Sequence, residues 1–278
     1  MNLTDIITTI KGNSFTKYPS ILTYHKMGNK GCLSSELSFP EYKEDTDTEL
    51  FVTEKIDGTN TRILIYNGDY VIGSREEWVY AKGDRVIPSN AKGWITFMKE
   101  IAERITPQFP SGRLVCIYGE LYGSKLQKSW KHYTSQEKDS YGFRVFDMWG
   151  MEWNFFENLF TTMNENQASM WRESNQQPWS TVSQIQSVCE KLNLEHVPYL
   201  TTTHFTGPAG QSVNADIMDA YEFLCRFRHT KAALDDSEKK NDEAEGVVIR
   251  SCDRKYIAKL RFEDYERTIR KMERESFR

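Results

Sequence analysis

The chain has 278 residues, a formal net charge of −4, 38% hydrophobic residues and 27% charged residues. This composition excludes a disordered or fibrous protein, and the length suffices for one large domain that needs no disulfide or metal to be stable. There is no run of about 18 apolar residues and residues 1–12 lack a cleavage-site pattern, so we expect neither a membrane-spanning helix nor a secretory signal.

The net charge alone argues weakly against a nucleic-acid protein, but the charge is uneven. Residues 250–278 carry ten basic and six acidic side chains, a local charge of +4 that can contact phosphates. The five cysteines are widely scattered and form no C-x-x-C pair, and the five histidines form no H-E-x-x-H motif. This usage indicates a reducing compartment, so we expect a cytoplasmic protein, bacterial or in an infected host cell.

Hydrophobic patterns and turn residues predict the elements in chain order. Residues 1–49 are mixed and rich in loops, and Asn67-Gly68 marks a hairpin turn. Ser89 or Asn90 is the expected N-cap of the first long helix. The predicted strands are 50–54, 62–66, 70–74, 113–118, 143–148, 246–250 and 256–261. The capped helix has its apolar residues between Trp94 and Ile105, and further helices are predicted near 181–192, from Asn214 and from 262 to the C-terminus. Strands, then helices, then strands favour an α+β fold with antiparallel sheets.

The first motif with chemical potential is Lys55-Ile56-Asp57-Gly58 at the end of a predicted strand. Alone it is a weak signal, because a solvated lysine before a turn glycine is the more common interpretation. Other motifs along the sequence favour a functional interpretation instead. They are Ser74-Arg75, YGELYG at 118–123, FRVFD at 143–147, EGVVIR at 245–250 and IAKLR at 257–261.

This ordered set, from about residue 50 to 261, resembles the covalent nucleotidyltransferase superfamily of ATP-dependent polynucleotide ligases and GTP-dependent mRNA capping enzymes. Within it, EKIDGTN at 54–60 and FTKYPSI at 15–21 look like the RNA ligase 2-like branch. Asp57 departs from that branch, several members of which have His, and is usual in DNA ligases and capping enzymes. The choice of nucleic acid therefore stays open.

The resemblance implies a nucleotidyltransferase (adenylation) domain with two antiparallel β-sheets, flanking helices and an ATP site between the sheets. By motif placement, residues 1–49 form an N-terminal extension that packs on the catalytic domain, residues 50–261 form that domain and residues 262–278 form a C-terminal helix. Only 17 residues follow Arg261, too few for a C-terminal OB domain. We expect a monomer that acts without a membrane, with a protein partner as one possible source of a missing domain.

The resemblance also implies roles for the phosphate-binding residues. Lys55 attacks the α-phosphorus of ATP and forms lysyl-AMP, and Lys259 and Arg261 contact the phosphate. The two cations alternate along one strand face and favour a neutral, nucleophilic Lys55. Glu245 helps to hold Mg²⁺ or Mn²⁺. The alternative interpretation of Lys259 and Arg261 is an ordinary surface strand, and that of Glu245 is the end of the acidic loop that precedes it.

The remaining site residues bind nucleotide or nucleic acid by the same resemblance. Glu120 accepts hydrogen bonds from the ribose, Phe146 stacks on adenine unless it is an ordinary core aromatic, and Glu54 helps to select adenine. Asp57 and Gly58 complete the lysine motif. Arg75 places AMP or the acceptor strand, and Asn60 positions the nucleic-acid end or a metal-bound water.

Two further segments have open interpretations. Between 124 and 140, Lys125, Lys128, Lys131 and His132 alternate with Trp130 and Tyr133, which suits either RNA contact or a charged loop. In the C-terminal helix, Tyr265, Ile269 and Met272 form an apolar stripe and Glu266 pairs with Arg270. We expect this stripe to pack on the catalytic domain, with RNA contact by the arginines as the alternative.

The sequence thus favours an ATP-dependent RNA ligase that joins 5′-phosphate and 3′-hydroxyl ends through lysyl-AMP and adenylylated RNA. One alternative is a DNA nick ligase or a GTP-dependent capping guanylyltransferase, which labelling with GTP or sealing of DNA alone would indicate. The other is a nucleotide- or RNA-binding module that has kept the fold without turnover, which failure to label with either nucleotide would indicate.

Overall fold

The computed structural model describes residues 1–43, 45–86, 93–235 and 242–276, so the expected N-cap at Ser89 or Asn90 lies outside the described residues. The helices are α1 (Leu3–Ile7), α2 (Ile10–Thr16), α3 (Gly93–Ile105), α4 (Trp153–Thr162), α5 (Glu165–Glu173), α6 (Val182–Leu192), α7 (Ile217–Cys225) and α8 (Phe262–Ser276). The strands are β1 (His25–Met27), β2 (Leu33–Leu37), β3 (Leu50–Lys55), β4 (Thr59–Tyr66), β5 (Asp69–Ser74), β6 (Trp78–Ala81), β7 (Arg113–Gly123), β8 (Tyr141–Glu152), β9 (Glu195–His196), β10 (Tyr199–Thr203), β11 (Gly246–Ser251) and β12 (Ile257–Arg261).

The chain divides into two compact units. The first unit contains Met1–Ser20, Gly58–Trp130 and Gln136–His196, and the second contains Ile21–Asp57, Lys131–Ser135 and Val197–Arg278. The sequence therefore crosses from the second unit to the first immediately after Asp57, within the lysine motif.

A six-stranded sheet, in the order β6-β5-β4-β7-β8-β9, forms the centre of the first unit. Its pairs are antiparallel except for β8 with β9. Alternate residues of β4, Ile63 and Ile65, are buried in one apolar cluster together with Met98 of α3 and Cys189 of α6. The period-2 pattern of the strands thus buries one sheet face under two amphipathic helices.

The β4–β5 hairpin turns at Asn67-Gly68, as its sequence predicts. Both residues have positive φ, 49° and 73°, which an Asn-Gly pair tolerates well. Tyr66 pairs with Asp69 on either side of the turn, so the register of the hairpin is set by a two-residue loop.

A four-stranded antiparallel sheet, β10-β3-β11-β12, forms the centre of the second unit. One face is apolar and buried, and includes Val52, Val247 and Leu260. The same cluster contains Phe223 of α7 and Tyr265 of α8. Several residues on the other face, including Thr53 and Val248, are half-buried, so this face remains partly accessible.

The mixed α+β class with antiparallel sheets is confirmed, whereas several local expectations are wrong. Residues 153–192 form three helices where one was expected. The first of them was missed because its apolar stripe of Trp153, Phe156 and Phe160 is interrupted by Asn, Glu and Thr residues. Helix α7 begins at Ile217 with Asp216 as its N-cap, rather than at Asn214. No helix in the described part of the chain is both long and apolar enough to cross a membrane.

Candidate functional site

Three adjacent strands of the second unit bring Lys55, Gly246 and Arg261 into one row. Gly246 of β11 is the register partner of both Lys55 on β3 and Arg261 on β12. Directly paired residues of antiparallel strands share a sheet face, so Lys55 and Arg261 project on the same side, about 10 Å apart at their Cα atoms. Because Gly246 has no side chain, the position between them on β11 leaves room on this face.

The carboxylate of Glu245 lies between these two cations. Its Oε2 atom is 2.5 Å from the Lys55 Nζ, and its Oε1 atom is 3.9 Å from the Arg261 Nη1. Burial raises the pKa of Glu245 above its ordinary value, although the attraction of Lys55 opposes this shift. A carboxylate with a raised pKa that already holds the lysine ammonium is placed to accept a proton from it.

Lys259 occupies the same face, two residues before Arg261 on β12. It pairs with Val248, whereas Leu260 between the two cations points into the apolar cluster. Burial, followed by repulsion from Arg261 and Lys55, lowers the pKa of Lys259. This part of the protein therefore concentrates three cations around one carboxylate on one sheet face, and the excess of positive charge suits an anionic ligand such as a phosphate.

The half-buried cation of Lys259 is expected to cost stability. A lysine whose pKa is lowered by folding destabilises the folded state below that pKa, and the cost disappears as the pH rises towards the ordinary value of 10.5. We therefore expect Lys259→Met to raise the unfolding temperature by about 2 °C at pH 7 and by less at pH 10, in thermal unfolding without nucleotide. The exposed Lys231→Met is the control, and a lower unfolding temperature for Lys259→Met would contradict the interpretation.

Arg261 is held by a residue that the sequence analysis missed. Its Nε and Nη2 atoms donate to the two carboxylate oxygens of Asp264, at 2.7 and 2.9 Å. Asp264 lies in the first turn of α8 and is only 1% exposed. Burial alone would lower the pKa of Arg261, but the hydrogen bonds and charge of Asp264 raise it. The two-pronged contact fixes the guanidinium plane and leaves Nη1 towards Glu245.

Asp264→Asn is expected to lower the free energy of unfolding by about 2 kcal/mol, because it breaks a charged two-pronged pair at a buried position. Urea unfolding measures the change. The matched control is Glu263→Gln, which removes the neighbouring exposed carboxylate that pairs with Arg267 and should change the stability by less than about 0.5 kcal/mol. Equal effects of the two substitutions would show that the Asp264–Arg261 pair contributes no more to the free energy of unfolding than an exposed ion pair does.

Glu54 and Asp57 flank the lysine on the same unit. The Glu54 carboxylate is 2% exposed and accepts hydrogen bonds from the Thr230 hydroxyl and, at 2.6 Å, from the Lys231 backbone N–H. Its side chain points to the apolar face of the sheet, opposite to Lys55, and its proposed role in adenine selection stays a prediction. The backbone N–H of Asp57 donates to the Tyr133 hydroxyl at 2.8 Å.

The first unit carries the other predicted residues, among them Gly58, Asn60 and Glu120. Asn60 of β4 and Glu120 of β7 are direct register partners, so they lie side by side on one sheet face. Gly58 precedes β4 where the backbone passes close to β7. A Cβ atom at Gly58 would lie 2.5 Å from the Leu121 carbonyl oxygen, so only glycine fits there.

Phe146 and Arg75 both contact the segment Tyr18–Ser20. A β-bulge in β8 leaves Phe146 as an extra residue between register positions, because Tyr118 pairs with Asp147 and Gly119 with Val145. The half-buried Phe146 ring packs edge-to-face on Tyr18 at 4.9 Å, and the Tyr18 hydroxyl donates to Asp147 at 2.9 Å. The exposed Arg75 donates to the Ser20 hydroxyl at 3.4 Å. Tyr18, which belongs to the FTKYPSI phrase, thus supports the predicted adenine platform.

In the segment 124–140, for which the sequence left RNA contact and a charged loop open, several side chains are anchored by contacts within the protein. Tyr133 is 1% exposed and therefore is not a stacking surface for RNA. The Nδ1 atom of His132 accepts a hydrogen bond from the Glu243 backbone N–H, and Lys125 forms an ion pair with Glu137. No periodic pattern in the sequence distinguished these anchoring residues from exposed ones.

The C-terminal helix α8 packs as expected at its start. Tyr265 is buried, Ile269 is half-buried and Met272 is 46% exposed, so the apolar stripe leaves the core towards the end of the helix. The predicted pair of Glu266 and Arg270 is present at 3.9 Å. Contact of its arginines with nucleic acid stays a prediction.

Among the described residues, no three His, Cys, Asp or Glu side chains cluster as a metal site. The fit to Mg²⁺ or Mn²⁺ therefore depends on Glu245. A single carboxylate is a sufficient protein ligand where substrate phosphates supply further oxygens, so the half-buried Glu245 beside the cation face is compatible with such an ion.

Comparison with solved structures identifies similar folds. The chain superimposes on Naegleria gruberi RNA ligase with a TM-score of 0.56 for the apo form of a variant, at 15% identity and covering 93% of this chain and 58% of that one. A variant of the same ligase with ATP and Mn gives 0.56 at 16% identity, covering 92% and 59%. A variant with AMP and Mn gives 0.52 at 16% identity, covering 89% and 62%. The chain thus spans about 60% of the length of these ligases.

Comparison of the sequence with families is more specific than the likeness in fold. No curated protein sequence matches the chain. A sequence model of the RNA ligase family matches residues 48–265, which include every strand that carries Lys55, Glu120, Phe146, Lys259 and Arg261. The match extends over most of the chain, and we conclude that the protein belongs to the RNA ligase family.

Proposed function

We propose that the chain is an ATP-dependent RNA ligase that joins 5′-phosphate and 3′-hydroxyl ends through lysyl-AMP and adenylylated-RNA intermediates. The observation that carries this proposal is the position of the Lys55 Nζ atom, 2.5 Å from Glu245 and on one sheet face with Lys259 and Arg261. A lysine next to a proton acceptor and two phosphate-binding cations is arranged for nucleophilic attack on a phosphate.

In the first step, Glu245 accepts the proton of the Lys55 ammonium, and the neutral amine attacks the α-phosphorus of ATP. A P–N bond forms, the bond between the α-phosphorus and the bridging oxygen breaks, and pyrophosphate leaves with that oxygen. Lys259 and Arg261 stabilise the negative charge on the phosphate oxygens. Asp264 keeps the Arg261 guanidinium oriented for this contact.

The residues of the first unit are proposed to hold the nucleoside. Glu120 accepts hydrogen bonds from the ribose, and Phe146, fixed by its bulge and by Tyr18, stacks on adenine. Asn60 and Arg75 position the nucleic-acid end and its phosphate. A bound Mg²⁺ or Mn²⁺ would neutralise charge on the phosphates, with Glu245 as its protein ligand. The ATP and Mn in structures of the similar N. gruberi ligase support this choice of nucleotide and metal.

The later steps use the same nucleotide site. The 5′-phosphate of RNA attacks the phosphorus of lysyl-AMP and releases Lys55, and the 3′-hydroxyl then attacks the activated 5′ end and expels AMP. The proposed partner is RNA, bound by a monomer in the cytoplasm. Because the chain spans only about 60% of the similar ligases, a protein partner that supplies further RNA contacts is compatible with this proposal.

The proposal is tested by intact mass after incubation with ATP or GTP and Mg²⁺ or Mn²⁺. An adduct of one AMP, located on Lys55 by peptide mapping, is the expected result. The AMP-loaded protein is then given a nicked duplex whose 3′-hydroxyl strand is RNA or DNA, and sealing of the RNA strand is expected. A GMP adduct would indicate a capping enzyme, sealing of DNA alone a DNA ligase, and no adduct with either nucleotide a binding module.

A further inference from the structure

A tyrosine from the segment between β7 and β8 holds the turn that follows the lysine. The Tyr133 hydroxyl accepts the hydrogen bond of the Asp57 backbone N–H at 2.8 Å. Asp57 is two residues after Lys55, and Tyr133 is 1% exposed. Asp57 itself is half-buried, so the bond is partly shielded from water and the hydroxyl fixes the backbone immediately beyond the nucleophile.

Residues 131–135, the tyrosine segment, are themselves fixed to the chain that leads to Glu245. The Leu234 backbone N–H donates to the Tyr133 carbonyl at 2.7 Å, and the Glu243 backbone N–H donates to the His132 Nδ1 at 3.2 Å. The Asp235 Oδ2 atom accepts three further hydrogen bonds, from the Thr134 hydroxyl and from the backbone and hydroxyl of Ser135. The tyrosine segment therefore contacts the backbone near both members of the Lys55–Glu245 pair, at Asp57 and at Glu243.

We propose that Tyr133 is a positioning residue that sets the Lys55 Nζ atom against Glu245. The bond reaches Lys55 through the Asp57 backbone, and the anchoring of His132 on Glu243 places the same segment two residues from Glu245. This inference depends on the proposed nucleotidyl transfer, because it assigns Tyr133 a role in forming lysyl-AMP.

A direct chemical role for the phenol does not fit its surroundings. Burial raises the pKa of Tyr133 above its ordinary value, so the hydroxyl keeps its proton throughout the working range of pH. Its contact is with a backbone N–H rather than with the Lys55 amine. The hydroxyl therefore acts on geometry, where small displacements of a nucleophile have large effects on rate.

Gln127, which also lies between β7 and β8, supports the residues that follow Asp57 within the first unit. The Gln127 Nε2 atom donates to the Gly58 carbonyl and to the Thr59 hydroxyl, both at 3.0 Å. The Gln127 side chain is exposed, so water can replace these bonds and its contribution should be smaller.

The test compares Tyr133→Phe with Tyr24→Phe. Both substitutions remove one hydroxyl from a fully buried ring of the second unit, but the Tyr24 hydroxyl has no hydrogen-bond partner among the described residues. Tyr133→Phe is expected to slow lysyl-AMP formation at saturating ATP about tenfold with little change in the KM for ATP. Tyr24→Phe should match the wild type.

Hydrogen exchange supplies a readout that does not depend on activity. The peptide that contains Asp57 should exchange faster in Tyr133→Phe and at the wild-type rate in Tyr24→Phe. Only Tyr133→Phe removes the hydrogen bond of the Asp57 amide. Faster exchange together with slower chemistry supports the proposal. Unchanged exchange, or faster exchange with an unchanged rate, overturns it. A wild type that forms no adduct would instead refute the proposed function.

Discussion

Lys55→Arg is expected to abolish the AMP adduct completely. The arginine retains the positive charge and can still pair with Glu245. In the wild type, the Glu245 carboxylate lies 2.5 Å from the Lys55 Nζ. Its guanidinium does not lose its proton in a protein, however, so it supplies no nucleophile. Intact mass after incubation with ATP and Mn²⁺ measures the adduct, and the unfolding temperature should stay close to that of the wild type.

The matched control for this experiment is Lys128→Arg, which makes the same change at an exposed position in the first unit. This variant should label as the wild type does. An adduct on Lys55→Arg would contradict the assignment of the nucleophile, and peptide mapping would then show whether Lys259 or another lysine carries the AMP.

Glu245→Gln is expected to slow lysyl-AMP formation about a thousandfold, within the range found when a general acid or base is removed. The amide keeps the shape of the side chain and can still accept a hydrogen bond from Lys55. It cannot take the proton that Lys55 must lose, and it loses the negative charge that offsets Lys55 and Arg261. Single-turnover labelling at saturating ATP measures the rate.

Glu243→Gln is the control for Glu245→Gln, because it makes the same change two residues earlier on the same segment. The Glu243 carboxylate is 60% exposed and lies 3.7 Å from Arg228, so its removal should leave the labelling rate within about twofold. If Glu245→Gln labelled as fast as Glu243→Gln, proton transfer to Glu245 would be excluded as part of the mechanism.

The sequence allowed the placement of the second unit's charged residues on one strand face to be predicted because its signals are local. Lys259 and Arg261 alternate with a buried Leu260, and this period of two is that of the observed strand β12. The Asn67-Gly68 turn fixed the β4–β5 hairpin for a similar reason. The resemblance then assigned chemistry to these positions, which periodicity alone does not do.

The contacts that were not predicted join residues far apart in the sequence. Tyr133 and Asp57 are separated by 76 positions, and nothing near Tyr133 indicates that its hydroxyl is buried against a backbone N–H. The pairing of Glu54 with Thr230 spans 176 positions. Asp264 is different, since it lies three residues after Arg261. An acidic residue in the first turn of a helix, three residues after an arginine at the end of a strand, is a signal that sequence reasoning can use.

Gly246 provides a criterion for judging related sequences. A methyl group at this position would lie 2.0 Å from the Leu260 carbonyl oxygen and 2.8 Å from the Arg261 Cα, so even alanine forces β11 and β12 apart. We expect a family member that keeps the lysine and the glutamate but has a side chain at the position of Gly246 to have lost the alignment of its cations. In genome surveys, a side chain at this one position therefore predicts a sequence that keeps the motif residues but no longer aligns them.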